Sequence, residues 1–253
     1  MDTLGDLVAR ERRTGDPALH VPGTPPREYD YRRFCTTTWK TGNYLRRLGV
    51  RSTDEVEDQD GSLAGATVAV VPTRAPEPLL ALFGSALLGA RVRFAPPRDV
   101  AARVLVAPGD EMDAYDLPPG SQRIAYGVES DDPAVAWFGE SVWSENPSFP
   151  PTAVSPDAPA VTTDDCDHAH ADLLVAADAT ATAWELDDGD TVAVRAPLSD
   201  PRALAAGVLA PLLAGAEILL PDDEYVGDVA VVDDADVAGA PEADALSVDD
   251  VSL

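Results

Sequence analysis

The side chains that could do chemistry are concentrated in one short segment of the chain. The segment holds carboxylates, a thiol and two imidazoles, namely Asp164, Asp165, Cys166, Asp167, His168 and His170. Cysteine, histidine and carboxylate side chains are ligands of transition metals, so this composition raises the question of a metal site.

The predicted secondary structure weakens the metal interpretation. Apolar spacing predicts a helix over about 165–184, and in a helix positions 168 and 170 diverge by about 200°. Only Cys166 and His170 then share a face. We interpret the aspartates instead as an N-cap and as first-turn charges that favour the helix dipole, and we predict no metal ligand.

Ser199 and Asp200 are a second candidate, because a serine hydroxyl with a distant histidine can form a nucleophilic set. No Gly-x-Ser-x-Gly elbow surrounds Ser199, however, and no spacing supplies its histidine partner. We therefore predict a turn at these two residues and no catalytic residue in the chain.

The elements that must position these residues alternate between strands and helices. Short apolar runs bounded by Pro, Gly or Asp predict strands at 67–71, 91–94, 104–107, 123–126, 134–137, 160–163, 191–195 and 217–220. Helical spacing predicts helices at 32–48, 76–89, 165–184 and 202–213. The alternation predicts an α/β fold with doubly wound, mostly parallel sheets and flanking helices.

Composition along the chain predicts three consecutive segments. Residues 139–159 are rich in Pro, Ser and Glu, so a first α/β subdomain is predicted at 1–145 and a second, shorter βαβ subdomain at 146–221. Residues 222–253 contain no Lys or Arg and are predicted to be a disordered or loosely held acidic tail, with one edge strand at 229–232. Residues 51–65 are predicted to be an exposed insertion.

The charge balance excludes anionic partners. The chain has 45 acids against 18 bases, a formal net charge of -27, and Lys40 is its single lysine. Nucleic acid and membrane surfaces would be repelled, because their binding depends on clustered Lys and Arg. Such acidity is typical of proteins in a salt-rich cytosol, and we interpret the source as a halophilic archaeon.

The location predicted from the sequence is the cytoplasm. No apolar segment follows Met1, and no stretch approaches the roughly 18 apolar residues that a transmembrane helix needs. Cys35 and Cys166 are the only cysteines, and we expect both to stay reduced.

Eight passages of the chain share one order and spacing with a known group of enzymes, namely residues 29–31, 45–50, 65–70, 75–90, 157–163, 186–192, 196–200 and 212–220. Together they resemble the N-terminal portion of the adenylate-forming superfamily, the AMP-binding, acyl-CoA or acetyl-CoA synthetase-like enzymes. The resemblance covers most of residues 2–221 and implies the fold of the N-terminal subdomains of those enzymes.

The resemblance also implies a location for nucleotide binding. Residues 157–163 are similar to the strand that runs into the superfamily's Ser, Thr and Gly-rich phosphate loop, which ends in Pro-Lys-Gly. Thr162, Thr163, His168 and His170 would be the remnant of that cofactor-binding region, the two histidines standing where the superfamily has a Ser-His pair. Between Thr163 and Ala169, however, there is no glycine to let backbone N–H groups converge on a phosphate and no lysine to neutralise it.

The superfamily's magnesium-binding switch motif, ribose-binding aspartate and catalytic lysine would all lie beyond residue 253. Lys40 lies in the first long helix and is expected to be a surface residue, so it cannot replace that lysine. The chain is therefore expected to be a degenerate pseudoenzyme, a ligase by resemblance only, with a remnant acyl or nucleotide crevice. We expect no cofactor beyond weak binding of AMP, ATP or CoA.

An alternative is an interaction or regulatory subunit that docks on a protein partner, or on a second copy as a homodimer, through the surface left bare by the missing half. Trp137, Phe138 and Trp143 could line such an interface or a pocket, or could simply pack within the core.

Overall fold

The computed structural model describes residues 1–57, 63–150 and 152–253. The strands are β1 (Pro17–Val21), β2 (Arg27–Asp30), β3 (Thr67–Val70), β4 (Arg91–Phe94), β5 (Val104–Pro108), β6 (Gln122–Tyr126), β7 (Val135–Trp137), β8 (Pro159–Thr162), β9 (Asp167–Ala169), β10 (Thr191–Val194), β11 (Glu217–Leu219), β12 (Val229–Val232) and β13 (Asp244–Ser247). Residues 58–62 of the predicted insertion lie outside the described residues, as does Pro151.

The helices alternate with these strands. They are α1 (Tyr31–Arg47), α2 (Thr53–Glu57), α3 (Pro76–Ala86), α4 (Phe138–Trp143), α5 (His170–Ala183), α6 (Pro201–Leu204) and α7 (Ala210–Ala214), with a π-helical stretch, Ala205–Leu209, between α6 and α7. Short 3-10 helices span Leu4–Val8, Arg10–Arg12, Leu63–Ala66, Gly109–Ala114, Asp234–Gly239 and Val248–Asp250. Pro76 opens α3, as expected for a residue without a free N–H, and Gly215 ends α7 with a φ of 90° that favours glycine.

Contacts divide the chain into two units. Unit 1 consists of Met1–Phe34 and His170–Leu253, and unit 2 is Cys35–Ala169. This division differs from the predicted boundaries at 145 and 221. The physical reason is strand pairing between residues far apart in sequence, since β1 pairs in parallel with β11.

Unit 2 is built on a seven-stranded sheet in the order β7-β6-β5-β3-β4-β8-β9. Every pair is parallel except β8 with β9, which is antiparallel. All residues of β3 and β5 are buried, as expected for central strands covered by helices on both faces.

Unit 1 is built on a six-stranded sheet in the order β13-β12-β10-β11-β1-β2, parallel except for β1 with β2. The predicted acidic tail supplies β12 and β13. It is not a loose tail, because Val231 and Val232 are fully buried and Val229 to Val231 pair with β10. The prediction of an edge strand at 229–232 is wrong, because β12 lies between β10 and β13. The predicted α/β class with mostly parallel sheets is confirmed. Among the described residues, no helix is long and apolar enough to cross a membrane.

Candidate functional site

The segment 163–170 forms a tight hairpin turn and a short strand before its helix begins. β8 and β9 pair in antiparallel register, with Val161 opposite His168, and the connection is the turn Thr163–Cys166. The Thr163 N–H donates to the Cys166 carbonyl oxygen at 2.9 Å and closes the turn. The prediction of a helix from residue 165 is therefore wrong for its first residues, since α5 begins only at His170.

The hydroxyl of Thr163 organises the inside of this turn. Its Oγ1 accepts hydrogen bonds from the backbone N–H groups of Asp165 at 3.3 Å and Cys166 at 3.2 Å, and it donates to the Cys166 carbonyl at 3.0 Å. A hydroxyl has the two acceptor positions and one donor that these contacts use. These backbone N–H groups are consequently engaged within the turn and do not converge on an external anion.

Two arginines of the neighbouring strand β4 pair with the hairpin's aspartates. Val92 pairs with Val161 of β8, so Arg91 and Arg93 flank that position on one face of the sheet. Arg91 Nη1 lies 3.1 Å from an Asp167 carboxylate oxygen.

Arg93 forms the second ion pair, with Asp164. The interpretation of Asp164 and Asp167 as an N-cap and helix-dipole charges is therefore wrong for both residues. The alternation of arginine with Val and Phe in strand 91–94 is the sequence signal that could have identified these partners.

Cys166 and His168 form the remaining contact of the hairpin. Cys166 Sγ lies 3.4 Å from His168 Nε2, so the thiol contacts the histidine that the predicted helix would place on another face. Within residues 1–57, 63–150 and 152–253, no group of three or more His, Cys, Asp or Glu side chains could hold a metal ion.

His170 belongs to the core of unit 1. Its side chain is fully buried, and Nδ1 accepts a hydrogen bond from the Leu4 N–H at 3.2 Å. Nε2 is buried and has no hydrogen-bond partner. Burial lowers the pKa of His170 to about 4, although the charge of Asp6 acts in the opposite direction. The imidazole is therefore neutral at pH 7, and the Leu4 contact assigns its proton to Nε2.

The four predicted remnant residues thus each have a different environment. Thr162 is buried at the end of β8, Thr163 closes the turn, His168 is half-buried on β9, and His170 belongs to unit 1. The structure brings Thr163 and His168 together through Cys166, and it assigns His170 a separate contact. Nucleotide binding by these residues stays a prediction.

The other candidate side chains have structural contacts. Lys40 Nζ donates to the Trp143 carbonyl at 2.6 Å and lies 4.9 Å from the Trp143 ring, whose residue is 81% exposed. Phe138 is buried, and Trp137 packs against the apolar cluster of the unit 2 sheet. The predicted turn at Ser199 and Asp200 is confirmed: the Asp200 N–H donates to the Pro197 carbonyl, and its carboxylate caps α6.

Comparison with known proteins relates this architecture to one group of enzymes by fold alone. No family model and no curated protein matches the sequence. The structure is similar to that of the anthranilate CoA ligase AuaEII, solved with anthranoyl-AMP, with a TM-score of 0.71 and 17% identity over 90% of this chain and 49% of that one. MbtA of Mycobacterium smegmatis gives a TM-score of 0.71 and 18% identity over 91% of this chain and 48% of that chain.

The N-terminal domain of FACL13 from Mycobacterium tuberculosis also matches, with a TM-score of 0.66 and 17% identity over 92% of this chain and 63% of that one. The chain thus spans about half the length of AuaEII and MbtA. The predicted resemblance is confirmed at the level of fold: the chain has the α/β fold of the N-terminal domain of adenylate-forming ligases.

Proposed function

We propose that this chain is a degenerate, non-catalytic protein with the adenylate-forming fold, and that its β8–β9 turn does not grip a nucleoside triphosphate. The observation that carries the proposal is the closed turn Thr163–Cys166. A phosphate loop works because several backbone N–H groups point at the anion, and here Thr163 N and the N–H groups of Asp165 and Cys166 all have partners inside the turn.

The charges of the turn support the same conclusion. Arg91 and Arg93 form ion pairs with the hairpin, and their partners are Asp167 and Asp164. Asp165 is exposed in the same turn. A triphosphate would meet these carboxylates at close range, where each contributes about 1 kcal/mol of repulsion at contact distance in water.

The direct test is a pyrophosphate-release assay with the purified chain, ATP and a panel of carboxylic acids. We expect no turnover, and sustained pyrophosphate release by the chain would overturn the proposal. Thermal unfolding in the presence of ATP, AMP or CoA measures residual binding separately, because a ligand that binds only the folded state raises Tm.

A matched pair of variants separates the two causes. Asp164→Asn with Asp165→Asn removes two charges from the turn, whereas Asp131→Asn with Asp132→Asn removes two charges from an exposed loop elsewhere. If the closed backbone of the turn is what prevents nucleotide binding, neither double variant binds ATP. If only the variant with Asp164→Asn and Asp165→Asn binds ATP, then charge, and not the closed turn, excludes the nucleotide.

A second candidate function is that of an interaction or regulatory subunit. The observation that favours it is an exposed apolar groove beside α5 in unit 1. Light scattering of the purified chain in high salt tests self-association, and a strictly monomeric protein would exclude the homodimer form of this candidate.

A further inference from the structure

The groove in unit 1 lies between the C-terminal half of α5 and the last residues of the chain. It has a cavity volume of about 250 Å³. Its apolar wall is formed by Ala176, Ala179, Ala183, Trp184, Leu246 and Val251. The cavity is open to solvent along one side and is too small to enclose a cofactor or a drug-sized ligand, which usually takes about 300–1,000 Å³.

The apolar character continues from the groove onto the solvent face of α5. Val175, Ala179 and Ala183 follow each other at four-residue spacing, so they form one stripe along the helix. Val175 is 71% exposed, and Ala179 and Ala183 are also exposed. A surface helix normally presents polar residues on this side, so the stripe is an apolar face without a cover among the described residues.

The edges of this apolar surface are acidic. Asp172 and Asp178 are exposed on α5, and Asp250 forms part of the groove wall. Arg202, the arginine that reaches the 3-10 helix Val248–Asp250, already holds two carboxylates: its Nη2 lies 2.7 Å from Asp200, and its Nη1 lies 2.7 Å from Asp249. The surface therefore combines an apolar centre with a negative rim.

We propose that this surface docks an amphipathic helix of a basic partner protein. Apolar side chains of that helix would fill the groove beside Ala179, and its lysines or arginines would face Asp172, Asp178 and Asp250. Interfaces of this kind use i, i+3, i+4 and i+7 anchors in an apolar groove, and complementary charge sets their specificity and association rate.

The negative rim argues against the other occupants. At low salt, a second copy of this chain, with its net charge of -27, would bring the same carboxylates against each other across a two-fold axis. An anionic membrane surface would be repelled in the same way. The proposal deepens the second candidate function and rests on it, but it does not depend on whether the β8–β9 turn binds nucleotides.

The test uses the full chain and two synthetic helical peptides that share a leucine face and differ only in carrying arginine or glutamate on the other face. Binding is measured by fluorescence anisotropy of the labelled peptide at low and high salt. We expect the arginine peptide to bind, its affinity to fall as salt rises, and the glutamate peptide not to bind.

The variants locate the site. Ala179→Gln places a larger polar side chain in the groove with little effect on helix propensity, and we expect it to raise Kd about tenfold. Val128→Gln is the matched control, because Val128 is 54% exposed and lies in unit 2. We expect Kd to change less than about twofold for this control, as for a residue outside the interface.

Three results would overturn the proposal: no binding of the arginine peptide, equal binding of the glutamate peptide, or equal weakening by Ala179→Gln and Val128→Gln. The last result would mean that a strongly acidic protein attracts a basic peptide without a defined site. It would still allow an interaction function elsewhere on the chain. The experiment therefore distinguishes a wrong binding site from a wrong second candidate function.

Discussion

Acidification should destabilise unit 1 through His170, and the size of the effect follows from its burial. The pKa of His170 is about 4 in the folded chain, below the ordinary 6.5 that it regains on unfolding. Between these values the unfolded chain binds more protons than the folded one, so stability is lost as the pH falls below about 6.5. The loss amounts to about 2 kcal/mol between pH 7 and pH 5 and levels off near 3 kcal/mol below pH 4.

The contact with Leu4 explains what is lost. In the neutral ring Nδ1 accepts the Leu4 N–H, but a protonated imidazole carries a donor on both nitrogens. Protonation therefore breaks this hydrogen bond and leaves a buried charge. The 3-10 helix Leu4–Val8 is the element that the bond attaches to the start of α5.

His170→Asn is the informative variant, because an Asn oxygen can occupy the position of Nδ1 and accept from Leu4 but does not titrate. Urea unfolding of both proteins is followed by far-UV circular dichroism at pH 7, 6 and 5 and constant salt. The difference between their free energies of unfolding cancels the titration of the carboxylates, which both proteins share. The wild-type chain should lose about 2 kcal/mol of its stability relative to His170→Asn from pH 7 to pH 5. A difference that does not change with pH would refute the argument.

Three further predictions concern packing and buried polar groups, all measured by urea unfolding. Burial alone would raise the pKa of Glu242, but the hydrogen bonds from Arg195 and the Gly227 N–H outweigh it and lower the pKa. The stability that this carboxylate contributes is therefore present above its ordinary pKa and is lost as the pH falls through the pKa of the folded chain. Arg195→Ala removes the cation that neutralises the buried Glu242 carboxylate and leaves it only the Gly227 N–H as a partner outside its own residue. We expect a cost of about 3 kcal/mol at pH 7, and a loss below about 1 kcal/mol would contradict this account. Gly227→Ala puts a Cβ 2.7 Å from a backbone oxygen of the adjacent strand and should destabilise unit 1 by about 1–3 kcal/mol, so an unchanged midpoint would show that the loop yields easily. Tyr126→Phe removes a buried hydroxyl that donates to the Val71 carbonyl at 2.5 Å, and we expect a loss of about 1–2 kcal/mol, with a neutral result counting against that hydrogen bond.

Strands with strong local signals could be predicted from the sequence. The continuous apolar runs at β3 and β5 gave central, fully buried strands, and Pro76 marked the start of α3. Local pattern sufficed here because a strand covered on both faces is apolar at every position.

The hairpin could not be predicted in the same way. β9 has only three residues, Asp167–Ala169, and polar residues at an exposed edge carry no alternating pattern. The apolar spacing that predicts the helix does not show that α5 begins only at His170. What fixes the turn is the Thr163 hydroxyl, whose contacts depend on geometry that spacing does not show.

The boundaries of the two units depend on pairings that no local pattern encodes. The acid-rich composition of 222–253 suggested a loose tail, yet burial of Val231 against the rest of unit 1 outweighs it. The partners of the hairpin's aspartates, Arg91 and Arg93, also lie far away in sequence, so the candidate site could be located but its ion pairs could not.

The pairing of Leu19 with Ile218 has a consequence for synthesis of the chain on the ribosome. Unit 2 is one contiguous segment, so it can complete its sheet while unit 1 is still being made. The β1–β2 hairpin, by contrast, is translated early and must wait for β11 before its open edge is paired. During that interval a hydrophobic strand edge is exposed to other nascent chains. Correct folding therefore depends on the order in which the strands leave the ribosome as well as on the final contacts.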